Sequence, residues 1–159
     1  MTTEQTATSR GLVTDVPGLL QHAGEDLGAT EWRTMTQELV TAFADTTEDH
    51  NFIHVDPERA SQTPFGGTIA HGYLTLSLLA PLLAELLTVE NAATSINYGL
   101  NKLRFPAPLP VGAEFRATAK LAEATEVGGG VQITVAATVD VKDQPKPALV
   151  AECLFRHYA

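Results

Sequence analysis

Residues 71–87 have the sequence HGYLTLSLLAPLLAELL, and this segment sets the strongest constraint on the architecture. Leucine or another apolar residue lies around nearly the whole circumference of the helix that the segment predicts. A helix with this pattern is buried on most of its sides, so other elements must wrap around it. Pro81 cannot donate a hydrogen bond to the carbonyl of Ser77, which predicts a kink or a break and a helix in two pieces.

The elements that wrap around this helix are predicted to be strands, because apolar residues recur at every second position from residue 93 onward. Apolar and polar residues alternate over 114–121 and again over 131–141, so each of these strands has one wet face. Gly128–Gly130 lies between them and predicts a hairpin turn. The glycines lack the lysine and the following helix that a phosphate-binding loop requires.

Two further strands complete the predicted sheet. Residues 96–105 change their apolar phase near Asn101–Lys102, which indicates a bulge, and Pro106 and Pro108 end this strand. Residues 149–158 carry apolar side chains on both faces, so this strand is central in the sheet or forms part of an oligomer contact.

The order of these patterns predicts the fold class. A mostly helical first half precedes a strand-rich second half without a linker or an internal repeat, which predicts one α+β domain over residues 1–159. Residues 1–12 are predicted to be a flexible tail. Residues 93–158 leave no room for helices between parallel strands, so the sheet is antiparallel. An antiparallel sheet that curls around one long apolar helix is the hot-dog arrangement.

Shorter elements are predicted in the first half of the chain. Residues 16–22 form an amphipathic turn and residues 32–35 a brief strand, and Thr36 caps a helix that runs through Phe43. Asp56 before Pro57 is a strong helix start and predicts a short helix over 57–62.

Composition excludes several classes of protein. A net charge of −9 argues against binding to nucleic acid, because such proteins usually display a basic patch. The longest apolar stretch, residues 74–87, is interrupted by polar residues and falls short of the ~20 that cross a bilayer. The polar first ten residues lack the apolar core of a signal peptide, and Cys153 is the single cysteine. We therefore expect a cytoplasmic protein without disulfides.

Residues 45–57, DTTEDHNFIHVDP, concentrate acids and histidines between two predicted helices. A sharp turn at His50–Asn51 could bring the carboxylate of Asp49 and the imidazole of His54 to opposite sides of one water molecule, an acid/base geometry. The alternative is that the acids and Asn51 only form turns and helix caps, with His54 partly buried.

A metal site is the weaker interpretation of the same residues. His50 and His54 stand four apart, and His71 or Asp56 could complete a ligand set. The turn expected at Asn51 opposes the helical spacing that such a set needs, and the glutamate of the common zinc-protease motif is missing. We expect neither a metal nor a cofactor.

Residues 65–72, FGGTIAHG, lead directly into the apolar helix. Gly72 at the helix start permits a ligand to approach the unpaired backbone amides, which can hold an oxyanion. Close packing is the alternative role of this glycine, and a structural role is the commoner one for His71.

Three blocks of sequence carry a family resemblance: residues 43–56 (FADTTEDHNFIHVD), residues 65–72, and residues 103–112 (LRFPAPLPVG). Together they resemble the MaoC-like family of (R)-specific enoyl-CoA hydratases, in particular its single-domain group related to nodulation protein N. The resemblance covers roughly residues 30–155 and implies a hot-dog fold.

The implied activity is that of an (R)-specific enoyl-CoA hydratase, which in reverse is a (3R)-3-hydroxyacyl-CoA dehydratase. The resemblance assigns the acid/base pair to Asp49 and His54 and the oxyanion site to the backbone amide of Gly72. It makes Asn51 and His71 supporting residues. It also implies an acyl-CoA or acyl-carrier-protein substrate and a homodimer with its acyl tunnel near the subunit interface.

One position departs from the family pattern: Ala80 stands where related hydratases carry a serine, and Ser77, one turn earlier, could substitute for it. Lys102 and Arg104 are candidates to meet the phosphates of CoA. Two alternatives to the hydratase remain, an acyl-CoA thioesterase and a non-catalytic acyl-thioester-binding protein.

Overall fold

The computed structural model describes residues 11–159, and its elements are short in the first half and long in the second. The predicted tail lies outside the described residues except at its end, where Leu12 begins a strand. In chain order the elements are β1 (Leu12–Thr14), a short 3-10 helix (Pro17–Gln21), β2 (Asp26–Ala29), β3 (Arg33–Thr34), α1 (Gln37–Thr47), α2 (Phe52–Val55), α3 (Pro57–Ser61), α4 (Gly72–Leu86), β4 (Leu87–Val89), β5 (Thr94–Arg104), β6 (Glu114–Val127), β7 (Gly130–Val141) and β8 (Leu149–Tyr158).

The main sheet is antiparallel and has the order β2-β6-β7-β8-β5, with β3 also pairing with β6. β8 lies between β7 and β5, as its two apolar faces predicted. The predicted hairpin is present, and its Gly129 has a φ of 84°, a value that favours glycine. β1 and β4 form a separate parallel pair. The predicted α+β, antiparallel architecture is therefore confirmed.

β5 is irregular and lies at the end of the sheet order. Its pairing with β8 shifts register between Leu100 and Lys102, which confirms the predicted bulge, and shifts once more between Asn97 and Gly99. The strand ends at Arg104, before the prolines. Most of its residues are exposed.

Helix α4 packs one side against the sheet, and its buried leucines join the side chains of β6, β7 and β8 in one core. The predicted break at Pro81 is wrong, because α4 is a single helix with Pro81 inside it. Leu79 and Leu82 are buried on either side of the proline. Each buried leucine contributes about 1.5–3 kcal/mol, which together offsets the ~3 kcal/mol cost of an internal proline.

The sheet leaves part of α4 uncovered, so this helix is buried on fewer sides than its sequence pattern predicts. The exposed residues recur at helical spacing along one face of α4; they are Tyr73, Ser77, Ala80, Pro81, Ala84 and Glu85. Within residues 11–159, no helix combines the length and the apolar character that crossing a membrane would demand.

The capped helices of the first half are present with adjusted bounds. Thr36 caps α1 by accepting a hydrogen bond from Leu39 N at 3.2 Å, but α1 continues past Phe43 to Thr47. Asp56 caps α3 in the same manner, with Arg59 N as donor at 3.1 Å. The segment between them was expected to be a turn alone and instead contains the one-turn helix α2.

Candidate active site

The turn between α1 and α2 presents Asp49. α1 ends at Thr47, and Glu48, the next residue, lies in the left-handed region at φ 62°, which changes the chain direction directly before Asp49. The Asn51 amide N–H donates to Asp49 Oδ1 at 3.4 Å, and Asn51 Oδ1 accepts from Ile53 N, also at 3.4 Å. Asn51 therefore caps α2, and its backbone N–H contacts the Asp49 carboxylate; the role expected of its side chain, to orient the loop and His54, stays a prediction.

His54 lies on α2 with only 8% of its surface exposed. Its Nδ1–H donates to the carbonyl of Ile69 at 2.7 Å, and because a carbonyl only accepts, Nε2 of the neutral ring carries the lone pair. Burial lowers the pKa of His54 below 6.5; the Ile69 carbonyl opposes this shift, His71 adds to it, and Asp49 opposes it. The ring is therefore a neutral base at pH 7.

His71 connects the two predicted catalytic residues. Its Nε2–H donates to the backbone carbonyl of Asp49 at 2.9 Å, and its ring stacks on that of His54 with centroids 3.7 Å apart. The ligand atoms of Asp49, His54 and His71 lie within 4.8 Å of one another. Residues that the sequence separates by up to 22 positions thus form one cluster.

This cluster is the candidate metal site among the described residues, but its ring geometry opposes shared coordination. A metal ion lies in the plane of each imidazole that binds it, and the His54 and His71 planes are only 24° apart. The lone pairs of the two rings therefore lie in two nearly parallel, stacked planes, and one ion cannot lie in both planes at bonding distance. The set considered from sequence is not assembled either, since His50 pairs with Asp45 at 2.8 Å and Asp56 caps α3.

Gly72, the first residue of α4, supplies the amide of the predicted oxyanion site. Within residues 11–159 its N–H has no recorded acceptor, and His71 makes no side-chain cap. A Cβ at this position would lie 3.0 Å from the Phe105 ring. Close packing is therefore one role of Gly72, and access of a ligand to its amide stays a prediction. The amide also stands at the positive end of a 15-residue helix.

A pocket of about 330 Å³ brings Gly72 and His54 to one space. Thr75 forms part of its wall, and the exposed aromatic rings of Phe65 and Phe105 stand at its rim. An imidazole that can accept a proton thus lies in the same pocket as an amide that can receive negative charge.

Gln37 and Thr68 form a hydrogen-bonded clamp that sequence reasoning missed. The side chain of Gln37 donates from Nε2 to the carbonyl of His54 at 2.8 Å and accepts at Oε1 from the Thr68 hydroxyl at 2.7 Å. Gln37 thereby joins α1 to α2 and to the segment that holds Ile69. At the start of a helix, glutamine has no distinctive pattern, so no sequence signal could identify it.

Three residues that were predicted to support catalysis or bind substrate do not contact Asp49 or His54. The Ser77 hydroxyl donates to Tyr73 O at 2.7 Å within α4, so it does not support Asp49 as expected. Lys102 and Arg104 lie exposed on β5, where Arg104 donates to the carbonyl of Leu103.

The chain matches known proteins over most of its length. The model of the MaoC-like domain family matches residues 19–144. The chain is 53% identical over 145 residues to 3-hydroxyacyl-thioester dehydratase Z of Mycobacterium tuberculosis, with 91% of this chain and 96% of that protein covered. It is 41% identical over 140 residues to nodulation protein N of Rhizobium leguminosarum bv. viciae, with 86% and 85% covered.

Solved structures agree with the fold. The (R)-hydratase of A. caviae involved in PHA biosynthesis superposes with a TM-score of 0.69 at 27% identity, over 84% of this chain and 94% of that one. This likeness confirms the predicted hot-dog fold. Since the family model matches far more than half of the sequence, the chain belongs to the MaoC-like domain family.

Proposed function

We propose that the protein is an (R)-specific enoyl-thioester hydratase, which in the reverse direction dehydrates (3R)-3-hydroxyacyl thioesters. The observation that carries this proposal is the cluster of Asp49 and His54, whose functional atoms lie within 4.8 Å. The Gly72 amide in the pocket of His54 adds the third group that the reaction needs. The dehydratase relative of M. tuberculosis, alike over nearly its full length, supports the same reaction class.

The proposed reaction adds the elements of water across C2 and C3 of a 2-enoyl thioester. Asp49 and the lone pair of His54 Nε2 polarise one water and take its proton as the hydroxide oxygen bonds to C3. The C2=C3 electron pair moves toward the thioester carbonyl, whose oxygen becomes negative and is stabilised by the Gly72 N–H. A proton from the pair then reaches C2, so the enzyme ends in its starting protonation state.

Substitution of the pair tests the proposal. We expect Asp49→Asn and His54→Ala each to lower hydration of a short trans-2-enoyl-CoA by at least about 10²-fold, the usual range of a lost acid/base group. Loss of the enoyl absorbance measures the rate, and chiral analysis of the product tests the (R) configuration. His50→Ala is the matched control, because His50 is an exposed histidine in the same turn that pairs with Asp45.

Two outcomes would contradict the hydratase activity, and a third would contradict the assignment of its catalytic pair. Release of free thiol at a comparable rate would indicate a thioesterase, and binding of enoyl-CoA without turnover would indicate a non-catalytic binding protein. Near-normal rates in either folded variant would remove Asp49 or His54 from the mechanism. Circular dichroism and thermal melting of each variant show whether it is folded.

We further propose a homodimer that pairs along β5. Ile96, Tyr98 and Leu100 are large apolar residues that stand exposed on this end strand. An exposed apolar end strand is a template for pairing with another chain, and homodimers with two-fold symmetry are the commonest oligomers. Light scattering should give the mass of two chains, and Ile96→Lys should shift it to one.

The acyl carrier is proposed to be CoA, with Lys102 and Arg104 as its phosphate-binding residues. Both are exposed near the C-terminal end of β5, just before Phe105 at the rim of the pocket. Arg104→Ala should raise KM for an enoyl-CoA but not for the matching enoyl-pantetheine, which lacks the adenosine phosphates. An equal effect on both substrates would contradict this role.

We place the reaction in the cytoplasm. Cys153, the single cysteine of the chain, is buried as a free thiol, and burial raises its pKa to about 11. A thiol of this kind stays protonated and unreactive, and a chain without disulfides suits a reducing compartment.

A further inference from the structure

The pocket lined by His54 and Gly72 is called the catalytic pocket. Two more pockets, of about 300 and 230 Å³, follow it along α4. They share Ala80, Asn97 and Phe155 and together form what is here called the far groove, between α4 and the strands β5 and β8. The catalytic pocket touches α4 at Gly72, whereas the far groove extends to Ala84 and beyond. At 1.5 Å per residue this is about 18 Å along the helix.

Most of the far groove is apolar, but its farther pocket is also lined by a polar cluster of Ser95, Asn97 and His157. His157 Nδ1 and the Ser95 hydroxyl are 2.8 Å apart, and the two residues stand opposite each other in the β5–β8 register. Within residues 11–159 the side-chain amide of Asn97 has no recorded hydrogen-bond partner. The cluster therefore presents a hydroxyl and an amide to an otherwise apolar groove.

His157 marks this cluster as unusual. The residue is only 8% exposed, and its buried Nε2 has no hydrogen-bond partner among the described residues. Burial lowers its pKa, so the ring is neutral and Nδ1 can either donate to or accept from Ser95. A fully apolar side chain at this position would avoid the cost of an unsatisfied buried nitrogen. Ser95 and Asn97 are exposed, so their polar groups are open to a ligand that enters the groove, while His157 is the buried member that holds the Ser95 hydroxyl in place.

Resting on the proposed function, we propose that the far groove receives the remote part of the substrate's acyl group and selects acyl groups that carry a hydroxyl or a carbonyl there. Asn97 and Ser95 supply the contacts, since each can donate and accept. His157 is a positioning residue that orients the Ser95 hydroxyl. A site built to hydrogen-bond a polar group discriminates against the plain hydrocarbon, because its own polar groups are then left unpaired.

Ala80 sets the passage into the far part of the groove. It lines both pockets, and Ala84, one turn later, lines the farther one. Two small side chains on the groove side of α4 leave room for an acyl group between the helix and β5. A larger side chain at position 80 would close this space without touching the catalytic cluster.

The test uses a matched pair of long 2-enoyl-CoA substrates that differ only in a hydroxyl near the end of the chain, together with a short enoyl-CoA. We expect the wild-type protein to prefer the hydroxylated member by about tenfold in kcat/KM, the discrimination of one hydrogen bond. Asn97→Leu and Ser95→Ala should each reduce this ratio toward one. Asn101→Leu, the same substitution in the same strand outside the groove, should leave the ratio unchanged.

Ala80→Leu provides an independent arm, because it should slow both long substrates relative to the short one. Equal kcat/KM for the two long substrates in the wild-type protein would overturn the polar-end proposal while the proposed function stands. If no enoyl-CoA is turned over, the proposed function fails, and calorimetric binding of the matching long saturated acyl-CoAs still decides this inference. A tighter Kd for the hydroxylated ligand would support the far groove, and an equal Kd would refute it.

Discussion

The two ends of α4 differ in how firmly their surroundings are held. At the N-terminal end, His54, His71 and Gln37 form hydrogen bonds that tie together three separate segments of the chain. At the C-terminal end, Ala80 and Ala84 face a groove whose Asn97 side chain has no recorded partner within residues 11–159. The proposed acid/base reaction needs side chains in a fixed geometry, whereas binding of an acyl group needs open space. The N-terminal end of α4 provides the first and its C-terminal end the second.

We expect the largest loss of activity from a small change at the N-terminal end of α4. Gly72→Ala places a Cβ 3.0 Å from the Phe105 ring and beside the proposed oxyanion amide. We expect kcat to fall by about 10²-fold, the usual cost of a lost oxyanion-hole donor. Steady-state kinetics with a short enoyl-CoA measures the effect.

Gly67→Ala is the matched control for Gly72→Ala, because a Cβ at Gly67 meets nothing within 4 Å. It should retain nearly full activity. If Gly72→Ala were equally active, the amide would not belong to the site and the N-terminal end of α4 would have only a packing role.

The clamp of Gln37 should have the next largest effect. Gln37→Leu removes the hydrogen bonds to the His54 carbonyl and from the Thr68 hydroxyl. With about 0.5–1.5 kcal/mol for each hydrogen bond, we expect kcat/KM to fall roughly tenfold. Gln37→Glu keeps the acceptor for Thr68 but loses the donor to His54, so its activity should be intermediate.

A positioning role for Gln37 predicts a defect mainly in kcat, since the substrate pocket keeps its walls. Gln62→Leu, at an exposed glutamine, is the control and should behave as the wild-type protein. A rise in KM alone in Gln37→Leu would place Gln37 in substrate binding and weaken the contrast between the two ends.

The pH dependence should report the buried histidines. Because the pKa of His54 in the folded protein lies below 6.5, the ring stays neutral, and the acid limb of kcat/KM should lie below pH 6.5. The unfolded chain takes up the proton first as pH falls, so the free energy of unfolding should decrease below about pH 6.5 and level off once the folded ring is protonated. His157, whose pKa burial also lowers, adds to this decrease.

His71→Phe sharpens this prediction, because it keeps a ring against His54 but removes the charge interaction by which His71 lowers the pKa. The acid limb should move to higher pH than in the wild-type protein. A pH–rate profile of each protein gives the position of its acid limb. An acid limb at the same pH in both proteins would show that His71 does not affect the pKa of His54.

Much of the fold could be predicted because its long elements have strong periodicity. α4, β7 and β8 follow from apolar spacing over ten or more residues, and the bulge in β5 follows from a change of phase. β1 and β4 have only three residues each, too few for a period to show, and are fixed by their pairing with each other. The continuity of α4 at Pro81 depends on burial of its neighbours, which a local rule for proline does not contain.

In the candidate site, too, some residues follow from a local sequence pattern and others only from packing. Asp49, His54 and Gly72 could be predicted because they lie in two blocks with a family pattern. The contacts of Gln37 span 17 and 31 positions of sequence, so they exist only once α1 has packed against the two segments. The far groove lies between α4, β5 and β8, and its shape depends on packing that no local pattern describes.

The smallest effects are expected at Ser77 and Ala80, where sequence comparison placed the missing polar support. The Ser77 hydroxyl donates to Tyr73 O within its own helix, and Ala80 lies about 12 Å along α4 from Gly72 by the helical rise. Ser77→Ala and Ala80→Ser should therefore each change kcat for a short enoyl-CoA by less than about twofold, as surface substitutions usually do. A large gain from Ala80→Ser would mean that position 80 acts on the catalytic pair in the assembled protein, and the two ends of α4 would then form one site.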